Sequence, residues 1–231
     1  TEGAVFVNGV DLYGEFDAYR TELGYVPQDD IIHLELPVER ALEYAARLRM
    51  PADTADEERQ NRVREVLRQL DLESSADVPI QQLSGGQRKR ASIGVELLTR
   101  PSLFFLDEAT SGLDPLTETQ LMKLLRRIAD DGRTVVLITH ATKNVMLCDA
   151  VLVLARGGRL AYEGPPDEAL RYFGVRDFDD IYERLEERPP EEWAARQRRA
   201  SLRAVSEMPP AGATPPTGGG GSAAAAALPA V

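Results

Sequence analysis

The sequence predicts an α/β fold built around a parallel sheet. Between residues 101 and 155, short apolar runs of strand length alternate with amphipathic helical patterns. The run TVVLIT at 134–139 is apolar at nearly every position, as in a strand covered by helices on both faces. Residues 31–95 carry mainly helical patterns, so we expect a helical subdomain inserted into this α/β core.

The chain begins with strand patterns and continues with helical ones. The turn dipeptide Asn8-Gly9 follows the first strand pattern. Pro37 suits the first turn of the next helix, because its missing N–H has no intrahelical partner there. In a second helix, apolar residues recur with a period of three and four. The predicted elements are strands at 4–7 and 23–26, a helix at 37–50 and a helix around 63–70.

The rest of the chain returns to alternating strands and helices. Two strand patterns are joined by Gly157-Gly158, and a two-residue glycine turn favours an antiparallel hairpin. The last helix carries Trp193 and several arginines, which fits a connecting helix on a membrane surface or a solvated amphipathic helix. The predicted elements are a helix from residue 84, strands at 102–106, 134–139, 151–155 and 159–164, and helices at 115–130, 166–173, 177–187 and 190–204.

Five parts result from these patterns. Residues from about 205 onward are dominated by Pro, Gly, Ala and Ser, so we expect them to form a disordered linker. The predicted parts are a partial core at 1–30, the helical subdomain at 31–95, a second core segment at 96–176, a helical connector at 177–204 and the linker at 205–231.

Composition narrows the class of protein. The net charge of −11 argues against a nucleic-acid partner, which requires a basic face to displace counterions. The single cysteine, Cys148, leaves no internal disulfide and is compatible with a reducing, cytoplasmic setting. No apolar stretch approaches the ~20 residues that span a bilayer. The chain starts at Thr1 without the profile of a signal peptide, and we expect this to be a cut end.

The segment Leu83-Ser84-Gly85-Gly86-Gln87 lies at a predicted helix start. Ser84 is a suitable N-cap, and the two glycines allow backbone N–H groups to approach an anion closely. Free N–H groups at a helix N-terminus favour phosphate. The alternative for such a segment taken alone is a flexible loop before a helix.

Two carboxylates follow the buried strand pattern LFFL. Asp107 and Glu108 should therefore lie at the carboxyl edge of the sheet, where α/β folds hold ligands. Asp107 suits Mg²⁺, and Glu108 could polarise a water molecule that attacks a phosphate. Taken alone, two acids after a strand could equally cap the next element.

Together, these two motifs, with about twenty residues between them, resemble the ABC-type ATPase family. The resemblance implies a P-loop NTPase (RecA-like) fold that is incomplete at the N-terminus, with ATP and Mg²⁺ as cofactors. Leu83–Gln87 corresponds to the signature motif, which covers nucleotide. Asp107 then belongs to the Walker B motif, followed by the catalytic Glu108.

Three further positions extend the resemblance. Ser111-Gly112-Leu113-Asp114 matches the D-loop, whose Asp114 is implied to lie at the nucleotide site. His140, directly after a predicted strand, matches the switch histidine that contacts the γ-phosphate. Gln28 matches the Q-loop glutamine, which senses Mg²⁺ and couples the helical subdomain to a membrane partner.

Outside these motifs, longer segments of the sequence resemble the G group of pigment and sterol exporters. The segments GYVPQDDIIH and GGQRKRASIGVELLTRP are closest to bacterial members that carry a forkhead-associated domain. This resemblance implies a transmembrane domain and a second ATP-binding domain as partners. It also implies a place on the cytoplasmic face of the plasma membrane and transport in the export direction.

One family motif is missing from the sequence. The phosphate loop GxxxxGK[ST] does not occur, and none of the three lysines, Lys89, Lys123 and Lys143, follows a glycine. We therefore expect a fragment that is inactive alone and belongs to an active transporter ATPase. Two alternatives are a soluble ABC ATPase without a transport role and a degenerate, non-catalytic binding module.

Overall fold

The computed structural model describes residues 4–19, 22–207 and 225–228. It divides into two compact units, Thr1–Leu124 and Leu125–Val231, which we describe separately. The five-part division expected from the sequence stays a prediction. The first unit contains β1 (Phe6–Val7), β2 (Val10–Asp11), α1 (Phe16–Tyr19), β3 (Leu23–Val26), α2 (Val38–Arg49), α3 (Asp56–Gln69), α4 (Gly85–Leu97), β4 (Leu103–Asp107) and the start of α5 (Pro115–Asp130).

Strands of the first unit form a hairpin and a parallel pair. Strands β1 and β2 are antiparallel, and the turn between them has positive φ at Asn8 (51°) and Gly9 (81°). Two-residue hairpin turns of type I′ require this backbone, which explains the Asn-Gly pair. Strand β3 pairs in parallel with β4, with Tyr25 opposite Phe105. The expected parallel pairing is thus present in this unit.

Helices α2, α3 and α4 pack together as the predicted helical segment. Leu42, Val66 and Leu70 are fully buried between them. A Cβ atom at Gly94 would lie 2.8 Å from a methyl of Leu70, so α4 can approach α3 this closely only through a glycine. The apolar stripes seen in the sequence therefore do form a common core.

The second unit contains a four-stranded sheet with helices from the C-terminal part. Strands β6 and β7 form the expected antiparallel hairpin, with Val153 opposite Tyr162. The order of strands in this unit is β5-β8-β6-β7. Its elements are the end of α5, then β5 (Thr134–Ile138), β6 (Ala150–Ala155), β7 (Arg159–Gly164), α6 (Pro166–Phe173), α7 (Asp179–Glu186), α8 (Pro190–Glu207) and β8 (Ala225–Leu228).

Strand β8 lies within the segment expected to be a linker, and it pairs in parallel with β5 on one side and β6 on the other. The linker at 205–231 stays a prediction, and its residues 208–224 and 229–231 lie outside the described residues. Helix α8 also continues to Glu207 rather than ending at 204. Alanine is disfavoured in strands, and the local sequence therefore gives no strand signal. Backbone hydrogen bonding to two neighbouring strands outweighs that local preference.

Trp193 of α8 belongs to the core of the second unit. It is 1% exposed, its indole N–H donates to the Leu185 carbonyl oxygen at 3.2 Å, and its ring lies 5.2 Å from that of Phe173. The guanidinium of Arg196 stacks 4.0 Å from the ring centre of Tyr172. Trp193 therefore anchors α8 in the core of the second unit. Because it is buried there, this tryptophan does not lie on a membrane surface. Within the described residues, none of the helices combines the length and apolarity needed to cross a bilayer.

Candidate functional site

Helix α4 begins with a complete capping box. Ser84 is the N-cap: its Oγ accepts a hydrogen bond from the Gln87 N–H at 3.3 Å, and Gln87 Oε1 accepts one from the Ser84 N–H at 3.0 Å. Leu83 is buried just before the cap. These two bonds satisfy the N–H groups of Ser84 and Gln87. The N–H groups of Gly85 and Gly86 lie in the first turn, where an α-helix offers them no acceptor. Such a helix start fits an anion.

The start of α4 lies directly against the start of α5. A Cβ atom at Gly86 would lie 2.2 Å from the Thr117 methyl, whereas one at Gly85 would meet Leu113 at an ordinary 3.6 Å. Gly86 is buried and Gly85 is exposed. Close packing therefore requires glycine at position 86, while Gly85 is free to face a ligand.

Asp114 caps helix α5. Its carboxylate accepts hydrogen bonds from the N–H groups of Leu116 at 3.0 Å and Thr117 at 3.1 Å, and also from the Thr117 hydroxyl. The Thr117 hydroxyl, followed by the backbone N–H groups, holds the pKa of Asp114 below its ordinary value. The nucleotide role of Asp114 stays a prediction, and its local role is to cap a helix.

The two carboxylates after β4 point to different partners. Tyr25 donates its hydroxyl to Asp107 Oδ2 at 3.4 Å, and Gln28 Nε2 donates to Glu108 Oε2 at 3.1 Å. Glu108 has a φ of 44°, a left-handed backbone that is uncommon outside glycine and often marks a functional turn. Both carboxylates are half-buried. The structure thus brings together Gln28 and Glu108, two of the residues selected from the sequence.

Sequence reasoning missed Lys89, whose buried side chain reaches the loop that carries Gln28. Its ammonium group donates to the Gln28 carbonyl oxygen at 2.8 Å and lies 2.9 Å from Asp30 Oδ1. The only sequence signal was a lysine inside a helix at a buried position of the helical period. That signal does not identify a partner 61 residues away.

His140 follows β5 in the second unit. Its side chain is exposed, and the preceding Thr139 is buried with its Oγ1 accepting a hydrogen bond from the Ala141 N–H at 3.0 Å. This local bond fixes the backbone on both sides of His140. Its assignment as a switch histidine stays a prediction.

The acidic residues near the site do not form a metal site by themselves. Among the described residues, no cluster of three or more His, Cys, Asp or Glu side chains could hold a metal ion. Mg²⁺ usually keeps several waters and takes one or two carboxylates together with substrate phosphates. The assignment of Asp107 and Gln28 to a magnesium ion that arrives with nucleotide stays a prediction.

Comparison with known proteins identifies the family. Residues 1–111 match the family model described as ABC transporter. The chain is 44% identical over 189 residues to the ABC transporter ATP-binding/permease protein Rv1747 of Mycobacterium tuberculosis, covering 82% of this chain and 22% of that protein. It is 39% identical over 183 residues to the broad substrate specificity ATP-binding cassette transporter ABCG2 of Bos taurus, covering 76% and 27% respectively.

A plant protein shows the same pattern. ABC transporter G family member 28 of Arabidopsis thaliana is 38% identical over 178 residues, which are 74% of this chain and 16% of that protein. The chain thus spans about a quarter or less of the length of these relatives. The fold and these matches define an ATP-binding domain of the P-loop NTPase class, and the chain belongs to the ABC transporter family. Within that family it is of the G-like type.

Proposed function

We propose that this chain is the ATP-hydrolysing domain of an ABC exporter, which couples ATP binding and hydrolysis at a dimer interface to transport across a membrane. The observation that carries the proposal is the Gln28–Glu108 contact of 3.1 Å at the carboxyl end of β4. In a parallel α/β sheet this edge holds ligands. A carboxylate there, turned by a positive φ and held by an amide donor, suits a group that activates water.

Each site residue takes one role in this proposal. Glu108 accepts a proton from the water that attacks the γ-phosphate, and the exposed His140 contacts that phosphate. Asp107 and Gln28 orient Mg²⁺, which supplies charge neutralisation on the phosphate oxygens when bound. The capped start of α4 donates backbone N–H groups to nucleotide held by a second domain. The residues of that covering surface are Leu83, Ser84, Gly85, Gly86 and Gln87, with Asp114 beside it.

The partners follow from the composite nature of such a site. A second ATP-binding domain holds the nucleotide that the start of α4 covers, and a transmembrane domain converts closure of the pair into transport. The phosphate loop GxxxxGK[ST] does not occur in these 231 residues. The assembly lies at the cytoplasmic face of the plasma membrane. We expect the chain alone to neither bind ATP tightly nor hydrolyse it. Micromolar affinity in a titration of this chain with Mg-ATP would contradict that expectation.

A matched pair of substitutions at Ser84 tests the proposal. Asp and Asn are both good N-caps, so Ser84→Asp and Ser84→Asn should each preserve helix α4. An aspartate even gains from the helix dipole, but its charge repels a phosphate at the same helix start. In the transporter that carries this sequence, we expect Ser84→Asp to lower kcat/KM for ATP by at least about tenfold.

The Ser84→Asn variant is the control, and it should retain hydrolysis within about threefold, since it keeps the cap and adds no charge. Thermal unfolding of both variants should match the wild type. Equal hydrolysis by the two variants would remove the start of α4 from the nucleotide site. ATP binding without hydrolysis in the wild type would instead favour a non-catalytic module.

A further inference from the structure

Lys89 is a buried cation whose described contacts all converge on the loop after β3. The side chain is 7% exposed, and its ammonium group reaches the Gln28 carbonyl oxygen at 2.8 Å and Asp30 Oδ1 at 2.9 Å. Ser92, one helical turn further along α4, donates its hydroxyl to the same Asp30 oxygen at 3.0 Å. We call Lys89, Asp30 and Ser92 the loop clamp.

Burial of a lysine is favourable only when its charge is paired and its hydrogen bonds are made. The loop clamp meets this requirement through one carboxylate and one backbone carbonyl. The loop itself has little apolar anchoring near this point, since Ile31 is 82% exposed. The loop clamp therefore fixes the backbone of Gln28 relative to α4 by polar contacts.

The other end of the same residue touches the proposed base. Gln28 binds Lys89 through its backbone carbonyl and binds Glu108 through its side-chain amide at 3.1 Å. Any shift of α4 that moves Lys89 therefore moves the backbone from which the Gln28 side chain extends. A displacement of about 1 Å in a positioning group can lower turnover by about a hundredfold.

We propose that Lys89 is a positioning residue that maintains the Gln28–Glu108 hydrogen bond. Through this bond it couples the position of helix α4 to the orientation of the Glu108 side chain. The proposal rests on the role of Glu108 as the proposed base. Lysine suits this task better than arginine, because a compact ammonium can donate separately to the carbonyl and the carboxylate. The planar guanidinium of arginine demands more space in a pocket that leaves Lys89 only 7% exposed.

A first experiment tests the geometry in this chain without any nucleotide. Lys89→Met keeps the length of the side chain and removes its charge and donors. We expect the side-chain amide signals of Gln28, assigned by their loss in Gln28→Glu, to move toward the positions of a glutamine amide that makes no hydrogen bond to a carboxylate. Arg90→Met is the matched control, because Arg90 lies on the same helix and donates to the Leu70 carbonyl oxygen at 3.2 Å instead.

The control should leave the Gln28 signals unchanged. Asp30→Asn provides a milder variant if Lys89→Met does not fold, and it should move the same signals. Identical Gln28 signals in wild type and in a folded clamp variant would overturn the proposal.

A second experiment tests the catalytic consequence in the transporter that contains this sequence. We expect Lys89→Met to lower kcat for ATP about tenfold or more while KM stays within about twofold, because the loop clamp orients a group and does not bind ATP. Asp30→Asn should act similarly, and the double variant should be no worse than either single one, since both remove the same contact. Arg90→Met should keep kcat near the wild-type value.

The two experiments separate two kinds of failure. A kcat of Lys89→Met equal to that of Arg90→Met would refute the link to Glu108. A wild-type transporter that does not hydrolyse ATP would refute the proposed function, and the Gln28 signals would still decide whether the loop clamp positions Gln28.

Discussion

The start of helix α4 packs so tightly on Thr117 that Gly86 should not tolerate even one added methyl group. A Cβ atom at this position would lie 2.2 Å from Thr117 Cγ2, far inside van der Waals contact. Thr117 could turn its methyl away only by rotating χ1. That rotation would also remove its hydroxyl from the Asp114 carboxylate, which it now contacts.

The expected cost of Gly86→Ala follows from two opposing terms. Overpacking of a well-packed site costs about 1–3 kcal/mol. Replacing glycine by alanine in a helix recovers at most about 1 kcal/mol, and less in the first turn. We therefore expect a net loss of about 1–2 kcal/mol in the free energy of unfolding, or about 2–8 °C in Tm for a chain of this size.

The assay is urea unfolding followed by far-ultraviolet circular dichroism, because the single tryptophan lies in the other compact unit. Gly85→Ala is the matched control and should stay close to the wild type, since its Cβ would meet only Leu113 at 3.6 Å. Thr117→Ser removes the offending methyl and keeps the hydroxyl. The double variant Gly86→Ala/Thr117→Ser should therefore regain most of the lost stability. If Gly86→Ala matched Gly85→Ala, or if Thr117→Ser gave no rescue, the packing argument would be refuted.

Two further predictions concern buried groups. Arg62 is 3% exposed and donates to the carbonyl oxygens of Leu97 and Leu98 at the end of α4. Because Arg62→Met leaves both oxygens without this donor, it should lower the free energy of unfolding by about 2–4 kcal/mol. Arg40 is the control, because it is exposed and pairs with Glu43 one helical turn away. In the same urea series, Arg40→Met should lower the free energy of unfolding by less than about 1 kcal/mol. Burial raises the pKa of Cys148 to about 11, so at pH 8 iodoacetamide should alkylate it about a hundredfold more slowly than glutathione. Its rate should rise with pH beyond 9 and should equal that of glutathione in urea; a rate that levels off near pH 9 in the folded chain would refute the raised pKa.

Patterns that are local in the sequence predicted their structures well. The Asn8-Gly9 turn, the Ser84 cap and the hairpin at Gly157-Gly158 each depend on a few adjacent residues, and the structure confirms all three. The parallel pairing of β3 and β4 also agrees with the apolar strand patterns. Backbone conformation and burial at these positions follow from residues close along the chain.

Features that depend on distant residues could not be read from the sequence. Strand β8 forms from alanines that locally favour a helix, because β5 and β6 offer it backbone partners on both sides. Lys89 looks like any charged residue of a helix until Asp30 and Gln28 are placed beside it. Trp193, which suggested a membrane surface, is instead held by Leu185 and Phe173.

The role of Glu108 as the base can be measured as the rate of ATP hydrolysis by a transporter that carries Glu108→Gln. Glutamine keeps the size of the side chain and an oxygen that accepts from Gln28, but its neutral amide cannot take a proton from water. We expect turnover to fall by about a hundredfold or more while ATP binding is retained. The control Glu57→Gln, which changes an exposed acid on α3, should have no effect. Hydrolysis by Glu108→Gln at the rate of Glu57→Gln would contradict the role of Glu108 as the base.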